Sequence, residues 1–230
     1  MDPADAAPGA EVAPGAEVDV DVDELAPCLQ PSEFIESAAA LIVALARSLR
    51  RDDPASTAVA LFNWVRDEIA YDPLCAVDGR ERYRATAILE RGRGYCVQKA
   101  VLLAALCRAA RIPTRLGFAD VRNHQIPARL RRIMGTDLFV FHGYVELHLG
   151  GRWVKAAPAF DPEASRRAGA LIVELDGTND AMLHPVDPQG HPFIEYVAHR
   201  GSYLDVPYDE LQRALLETYG DTIAAFLKDK

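Results

Sequence analysis

Cys96 stands where a glycine-rich approach meets a long apolar run. Residues 92–95 (GRGY) precede it, and residues 96–110 (CVQKAVLLAALCRAA) are apolar nearly all round, which is typical of a helix buried inside a protein. A sulfur at the first turn of that helix would face unpaired backbone N–H groups and the positive end of the helix dipole. We therefore expect a lowered thiol pKa, a thiolate able to attack a carbonyl carbon, and N–H groups able to hold the resulting oxyanion.

A cysteine nucleophile needs a base and a group that orients the base, and residues 142–161 offer candidates for both. Strict alternation in residues 142–149 (HGYVELHL) places His142 and His148 on one face of a strand, roughly 20 Å apart at about 3.3 Å per residue. Only one of them can reach the sulfur, and Gly143 beside His142 permits a close approach. The return strand at residues 152–155 (RWVK) leads the chain back to Asp161, which is the natural third member.

The other cysteines and histidines lack surroundings of this kind. The cysteines are Cys28, Cys75 and Cys107. No C-x-x-C pair occurs, so neither a disulfide framework nor a zinc-ribbon spacing is indicated, and Cys107 within the apolar run is expected to be an inert core residue. Three histidines between residues 184 and 199 have no metal-ligand spacing. We expect no metal and no cofactor.

The order of the predicted elements indicates an α+β fold. Helical periodicity predicts helices near residues 32–49, 53–69, 85–89, 96–110 and 208–227. Short β-like runs follow at residues 114–118, 139–149 and 152–156. The pair Gly150-Gly151 predicts a hairpin turn between the last two runs. Helices first and antiparallel strands afterwards favour an α+β architecture.

Taken together, these residues resemble the transglutaminase-like superfamily of papain-like fold. Its pattern is a G-x-C that opens a helix, then H-x-x-V-E, then a tryptophan followed by an acid; here the pieces are Gly94-Tyr95-Cys96, residues 142–146 (HGYVE) and Trp153. The similarity spans about residues 60–165. It implies a nucleophile helix packed on an antiparallel sheet that carries the histidine and the acid, and an acyl-enzyme mechanism through Cys96, His142 and an aspartate.

The chain departs from the family's pattern at the acid. Many relatives have it four residues after the tryptophan, and that place is Ala157 here. We favour Asp161, reaching back by a shifted loop. Asp176, Asp180 or no acid at all are the alternatives.

The net charge of −9 is concentrated at the start of the chain, because eight acids and no Lys or Arg lie in residues 1–24. The rest of the chain is nearly neutral, so it lacks the surplus of Lys and Arg that binding to a nucleic-acid backbone requires. Residues 7–18 read APGAEV twice, so we predict a disordered acidic tail over residues 1–30 and a single domain over residues 31–230. No secretory signal and no apolar run of membrane-spanning length is present, so we expect a cytoplasmic protein with no membrane partner.

The function predicted is that of a cysteine peptidase or amidase, or a transglutaminase-like acyltransferase, acting on amide bonds of a peptide or protein. Hydrolysis is favoured, since excluding water requires special walls. The alternative is a catalytically silent peptide-binding module that keeps the scaffold. The arginine-rich link after the first strand, which includes Arg122 and Arg131, is either a lid that contacts an acidic substrate or a solvated helical turn. The oligomeric state stays open.

Overall fold

The computed structural model describes residues 25–77 and 79–228. The acidic stretch of residues 1–24 lies outside these ranges, so the predicted tail and the domain boundary stay predictions. Within the described part, Ala26–Leu29 form a short 3-10 helix whose Cys28 is buried.

The α+β architecture predicted from the sequence, with a buried helix packed on an antiparallel sheet, is confirmed. The helices are α1 (Ala40–Ser48), α2 (Pro54–Glu68), α3 (Ala85–Arg91), α4 (Cys96–Ala109), α5 (Ala128–Met134), α6 (Pro162–Ala168) and α7 (Tyr208–Lys228). The strands are β1 (Ala70–Tyr71), β2 (Arg93–Gly94), β3 (Thr114–Asn123), β4 (Leu138–Leu149), β5 (Arg152–Ala156) and β6 (Ile194–Tyr203). No helix in the two described ranges is long and apolar enough to cross a membrane.

A four-stranded antiparallel sheet in the order β5-β4-β3-β6 is the frame of the molecule. The hairpin between β4 and β5 turns at Gly150 and Gly151, which both have positive φ, as the sequence predicted. The edge strand β6 was not predicted, because only one of its residues is buried and its polar sequence shows no apolar alternation. β1 and β2 form a separate parallel pair just before the nucleophile helix.

The helix α4 runs through the core, and its residues from Cys96 to Arg108 are all buried. It packs on β3 and β4 on one side and on α1, α2 and α3 on the other. The amine of Lys99 is also buried, and it donates hydrogen bonds to the carbonyl oxygens of Arg66 at 3.0 Å and Ile69 at 2.5 Å, at the carboxyl end of α2. These bonds satisfy carbonyls that a helix end leaves unpaired.

Two predicted helix starts have different outcomes. Asp53 caps α2, accepting the N–H of Ser56 at 2.9 Å, with Pro54 in the first turn as predicted. The helix predicted from Ser32 begins only at Ala40. Before Ala40 the chain makes turns, and the N–H of Ser32 donates to the carbonyl of Ile35.

Candidate active site

The sulfur of Cys96 lies at the amino end of α4, where backbone N–H groups surround it. The N–H groups of Gly143, Val97 and Cys96 itself lie close enough to it to act on its pKa. The turn before it is held by the N–H of Tyr95, which donates to the side-chain oxygen of Gln98 at 3.3 Å. The sulfur thus lies at a helix start, as the sequence predicted, and a backbone N–H of β4 is also near it.

Gly143 is the point at which β4 touches α4. A Cβ atom at this position would lie 2.7 Å from the Cα and 3.2 Å from the backbone nitrogen of Val97. Since real Cβ contacts to backbone are longer than this, any side chain here would separate strand from helix. The glycine thus allows the N–H of Gly143 to reach the sulfur and brings His142, its neighbour in the chain, to the same cavity as Cys96.

Burial decides the resting charge of the sulfur. Desolvation raises the pKa of Cys96 from 9.0 to about 11, although the N–H groups of Gly143 and Val97 act to lower it. The sequence-based prediction of a lowered thiol pKa is therefore wrong for this enclosed conformation. Burial also raises the pKa of Cys107, further along the same helix, to about 12.

His142 is nearly enclosed, with 5% of its surface exposed. Its Nε2 atom is buried and has no hydrogen-bond partner among the described residues. The ring lies edge-on to Tyr196 at 6.0 Å between centroids, and Ala119 stands opposite it on β3. Desolvation lowers the pKa of His142 from 6.5 to about 4. The resting pair is consequently a neutral imidazole and a neutral thiol.

The residue before His142 has a strained backbone. Phe141 has φ +55°, a conformation that costs a bulky side chain energy unless its surroundings impose it. Here the register of β3 and β4 shifts, and the N–H of Phe141 donates to Asp120 at 3.1 Å. Arg200 from β6 donates two hydrogen bonds to the same carboxylate, from Nε at 2.5 Å and from a second guanidinium nitrogen at 2.9 Å. Its guanidinium also lies over the ring of Phe141. The sequence offered no signal for this network, because three strands contribute to it.

Asp161 follows Ala159 and Phe160 of the cavity wall but does not itself line the cavity, and it makes contacts other than the one predicted. One carboxylate oxygen caps α6 by accepting the N–H of Ala164 at 2.8 Å, and the other accepts the N–H of Tyr71 at 2.6 Å. Burial pushes the pKa of Asp161 up, but these N–H bonds and the charge of Lys99 bring it below its ordinary value. No recorded hydrogen bond of the described residues joins Asp161 to His142.

The alternative acid positions do not supply a partner for the imidazole either. Ala157 is 1% exposed and forms an apolar cluster with Ala119 and Tyr144. Asp180 accepts the N–H of Lys155 at 2.8 Å, and Asp176 binds its own turn through Thr178 and Asn179. The Nε2 of His142 is thus buried without a hydrogen-bond partner among the described residues, and position 157, where the motif has its acid, is an alanine.

The other polar residues of the 142–149 segment contact the sheet and the hairpin rather than the cavity. Glu146 is buried and accepts hydrogen bonds from Arg115 and, at 2.8 Å, from Ser202, so it ties β4 to β3 and β6. His148 lies against Trp153 on the outer part of the hairpin and does not line the cavity. Of the two histidines, His142 is the one that lines the cavity with Cys96, and its role as proton carrier stays a prediction.

A cavity of about 470 Å³ opens beside the two groups. Cys96 and His142 lie in its wall together with side chains from the β1 end, α5, α7 and the segment before α6. Tyr219 of α7, another residue that sequence reasoning did not select, bonds through its hydroxyl to the N–H of Val140 and the carbonyl of Leu138. Within the described residues, no cluster of three or more His, Cys, Asp or Glu side chains could hold a metal ion.

The model of the transglutaminase-like superfamily matches residues 38–158, more than half of the chain. The protein belongs to the transglutaminase-like superfamily. The matched region includes Cys96, His142 and the position of Ala157, and it ends before Asp161. None of the curated proteins matches the sequence.

Two solved structures are similar to this transglutaminase-like chain. The "Putative Cysteine Protease" of Cytophaga hutchinsonii is 21% identical over 81% of this chain and 56% of its own, with a TM-score of 0.45. The "putative protease" of Parabacteroides distasonis is 16% identical over 71% of this chain and 30% of its own, with a TM-score of 0.36. The chain therefore spans little more than half of the first protein and under a third of the second.

Proposed function

We propose that the protein is a cysteine-dependent acyl-transfer enzyme that acts on amide bonds, with Cys96 as nucleophile and His142 as proton carrier. One observation carries the proposal: Cys96 and His142 line the same cavity, at the point where Gly143 lets β4 pack against the start of α4. A nucleophile and a base that share a cleft are the elements of acyl transfer.

The reaction begins from a neutral thiol and a neutral imidazole. As the sulfur of Cys96 adds to the carbonyl carbon of a carboxamide, His142 takes the thiol proton, and the N–H groups at the start of α4 stabilise the oxyanion. The C–N bond then breaks, the imidazolium gives its proton to the departing amine, and a thioester remains. Water adds to the thioester, His142 accepts a proton from it, and the carboxylic acid leaves as the thiol is restored.

Water is the acceptor that we favour over a second amine, which makes the proposed enzyme a peptidase or amidase. The cavity is open enough to admit water, and no wall dedicated to its exclusion is evident among the described residues. The triad with Asp161 stays a prediction of the sequence. Its bonds to Tyr71 and Ala164 favour instead a role in holding the cavity wall.

A second candidate function is a silent peptide-binding module with the same scaffold. The orphaned Nε2 of His142 and the alanine at position 157 favour it, because an imidazole without an orienting partner is a weaker base. A transglutaminase-like fold does not by itself guarantee chemistry.

Trapping of the acyl-enzyme separates the two functions. We expect para-nitrophenyl acetate to place one acetyl group on Cys96, seen by mass spectrometry of the peptides, and turnover to cease in Cys96→Ser and His142→Ala. Cys107→Ser is the matched control, since this second buried thiol of α4 does not line the cavity. If Cys96 acquires no acetyl group while the protein remains folded, the binding module is the correct function. A labelled amine supplied with an amide substrate reports whether transamidation competes with hydrolysis.

A further inference from the structure

The cavity beside Cys96 is lined almost wholly by apolar side chains. None of the described lining residues carries a charged group. Two of its three tyrosines have their hydroxyls occupied: that of Tyr95 bonds to Tyr83 at 2.9 Å, and that of Tyr219 bonds to the backbone of β4. Apart from Tyr71, Cys96, His142 and Asn123, the described wall offers little that would bind a polar substituent.

Two arginines of the link between β3 and β4, Arg122 and Arg131, pair with acids outside the cavity. Arg131 pairs with Asp137 at 2.9 Å, and Arg122 lies 3.4 Å from both Asp137 and Glu195. The link between β3 and β4 contributes Leu130 and Met134 of α5 to the cavity wall instead. The arrangement does not favour the acidic substrate that this basic link suggested.

We propose that the cavity binds the acyl part of the substrate and that this part is a bulky apolar group, such as an aromatic or long aliphatic side chain. Such a group loses water-exposed apolar surface on entering, whereas a carboxylate would lose its hydration without finding a partner. The volume of about 470 Å³ lies within the range typical of small-molecule sites. This substrate class rests on the proposed function of Cys96.

Ester substrates that differ only in the acyl group test the proposal. We expect kcat/KM for para-nitrophenyl hexanoate to exceed that for the acetate by at least about tenfold, since each added methylene in an apolar pocket favours binding. We expect the charged hemisuccinate ester to be slower than the acetate. The variant Leu130→Asp, in the cavity wall, should abolish the preference for hexanoate over acetate. The control Leu216→Asp, on the exposed face of α7, should leave that preference unchanged.

A binding measurement keeps this inference separate from the chemistry. The variant Cys96→Ala should bind the uncharged fluorophore N-phenyl-1-naphthylamine, and Leu130→Asp added to it should weaken that binding. Equal rates for hexanoate and acetate, with no binding of the fluorophore, overturn the apolar substrate class and leave the acetyl-enzyme result standing. If binding is retained but no acyl group reaches Cys96, the proposed function fails and the apolar site remains.

A different observation supports a second inference, which concerns the orientation of His142. We infer that Asp120 and Arg200 are positioning residues for this histidine. The strained φ of Phe141 sets the direction in which the next residue leaves the strand, and the carboxylate of Asp120 imposes that conformation through the N–H of Phe141. Arg200 fixes the carboxylate by two hydrogen bonds and covers the ring of Phe141. In a site whose acid position is an alanine, the backbone takes over part of the orienting task.

The variant Asp120→Ala should lower kcat by about tenfold or more while KM changes little, because the imidazole is misplaced and the cavity is not. Asp120→Asn, which keeps an acceptor for the N–H of Phe141, should recover most of the loss, and the kcat of Arg200→Lys should fall between those of the two Asp120 variants.

Asp137→Ala removes an acid whose partners lie outside the cavity, and it is the matched control. An unchanged kcat in folded Asp120→Ala, or a loss no larger than that of Asp137→Ala, overturns the inference. A normal rate of Cys96 acetylation in Asp137→Ala shows that the proposed function itself holds.

Discussion

The two halves of the candidate site differ in how fully their polar atoms are satisfied. On the helix side, backbone N–H groups of the helix start and of Gly143 lie near the sulfur of Cys96. On the strand side, His142 has a buried nitrogen without a hydrogen-bond partner among the described residues, and Ala157 belongs to an apolar cluster. The proposed nucleophile is thus surrounded by donors, whereas the proposed base has only the strained backbone of Phe141 and the ring of Tyr196 beside it.

This difference shows which parts of a cysteine site can be lost separately. The N–H groups that would hold an oxyanion belong to a helix end, and they persist as long as α4 packs on β4. The partner of the imidazole is a single side chain, and one substitution removes it. The same fold can therefore retain a well-formed nucleophile beside a weakly supported base.

The largest expected effect comes from breaking the helix side at Gly143. Gly143→Ala places a Cβ 2.7 Å from the backbone of Val97, so β4 must move away from α4 and the sulfur loses its third donor. We expect esterase activity to fall by about 100-fold or more and unfolding free energy to fall by about 1–3 kcal/mol. Kinetics and chemical denaturation measure both. Gly79→Ala, where an added Cβ meets nothing within 4 Å, should leave both unchanged, and a normal rate in Gly143→Ala would contradict the proposed role of the close approach.

The alkylation rate of Cys96 measures whether its thiol has given a proton to His142 before substrate binds. With a pKa of about 11 rather than 9.0, Cys96 holds about 100-fold less thiolate at pH 7 than an ordinary thiol, so we expect slow alkylation by iodoacetamide. The rate should rise about tenfold per pH unit towards pH 11. Rapid labelling at mildly acidic pH that disappears in His142→Ala would instead show a preformed thiolate and imidazolium pair.

Ala157→Asp sharpens the comparison by supplying the missing acid. If the carboxylate reaches the unpartnered nitrogen of His142, it raises the pKa of the imidazole and orients it, and we expect kcat to rise by about tenfold. The acid limb of the pH-rate profile should move upward. Ala157→Asn is the uncharged control. An unchanged kcat in both variants would mean that a side chain at position 157 does not contact His142 in this fold.

The smallest effect on kcat is expected at Asp161. Asp161→Asn keeps an acceptor for only one of the two N–H groups, those of Ala164 and Tyr71, so we expect a loss of about 1–3 kcal/mol in stability and a kcat within about threefold of the parent. An acid that orients a catalytic histidine loses about 10⁴-fold in kcat on the same change. A loss of that size would restore the triad that the sequence predicted.

Much of the fold was predictable because its signals are local. The apolar run of α4, the cap of α2 at Asp53 and the glycine hairpin between β4 and β5 all report on neighbours within a few residues. The late start of α1 and the strand β6 were missed. In both places tertiary contacts override a weak or misleading local pattern.

The sequence by itself determined that one cysteine opens a buried helix and that one histidine lies on a strand beside a glycine. Helix ends and strand alternation follow from backbone geometry over a few residues, so no distant contact is needed to infer them. Only the tertiary structure decided the charge state of Cys96, the bonds that occupy Asp161 and the support of His142 by Asp120 and Arg200. Burial and the pairing of distant strands set these properties, and the residues adjacent to the site in sequence determine neither.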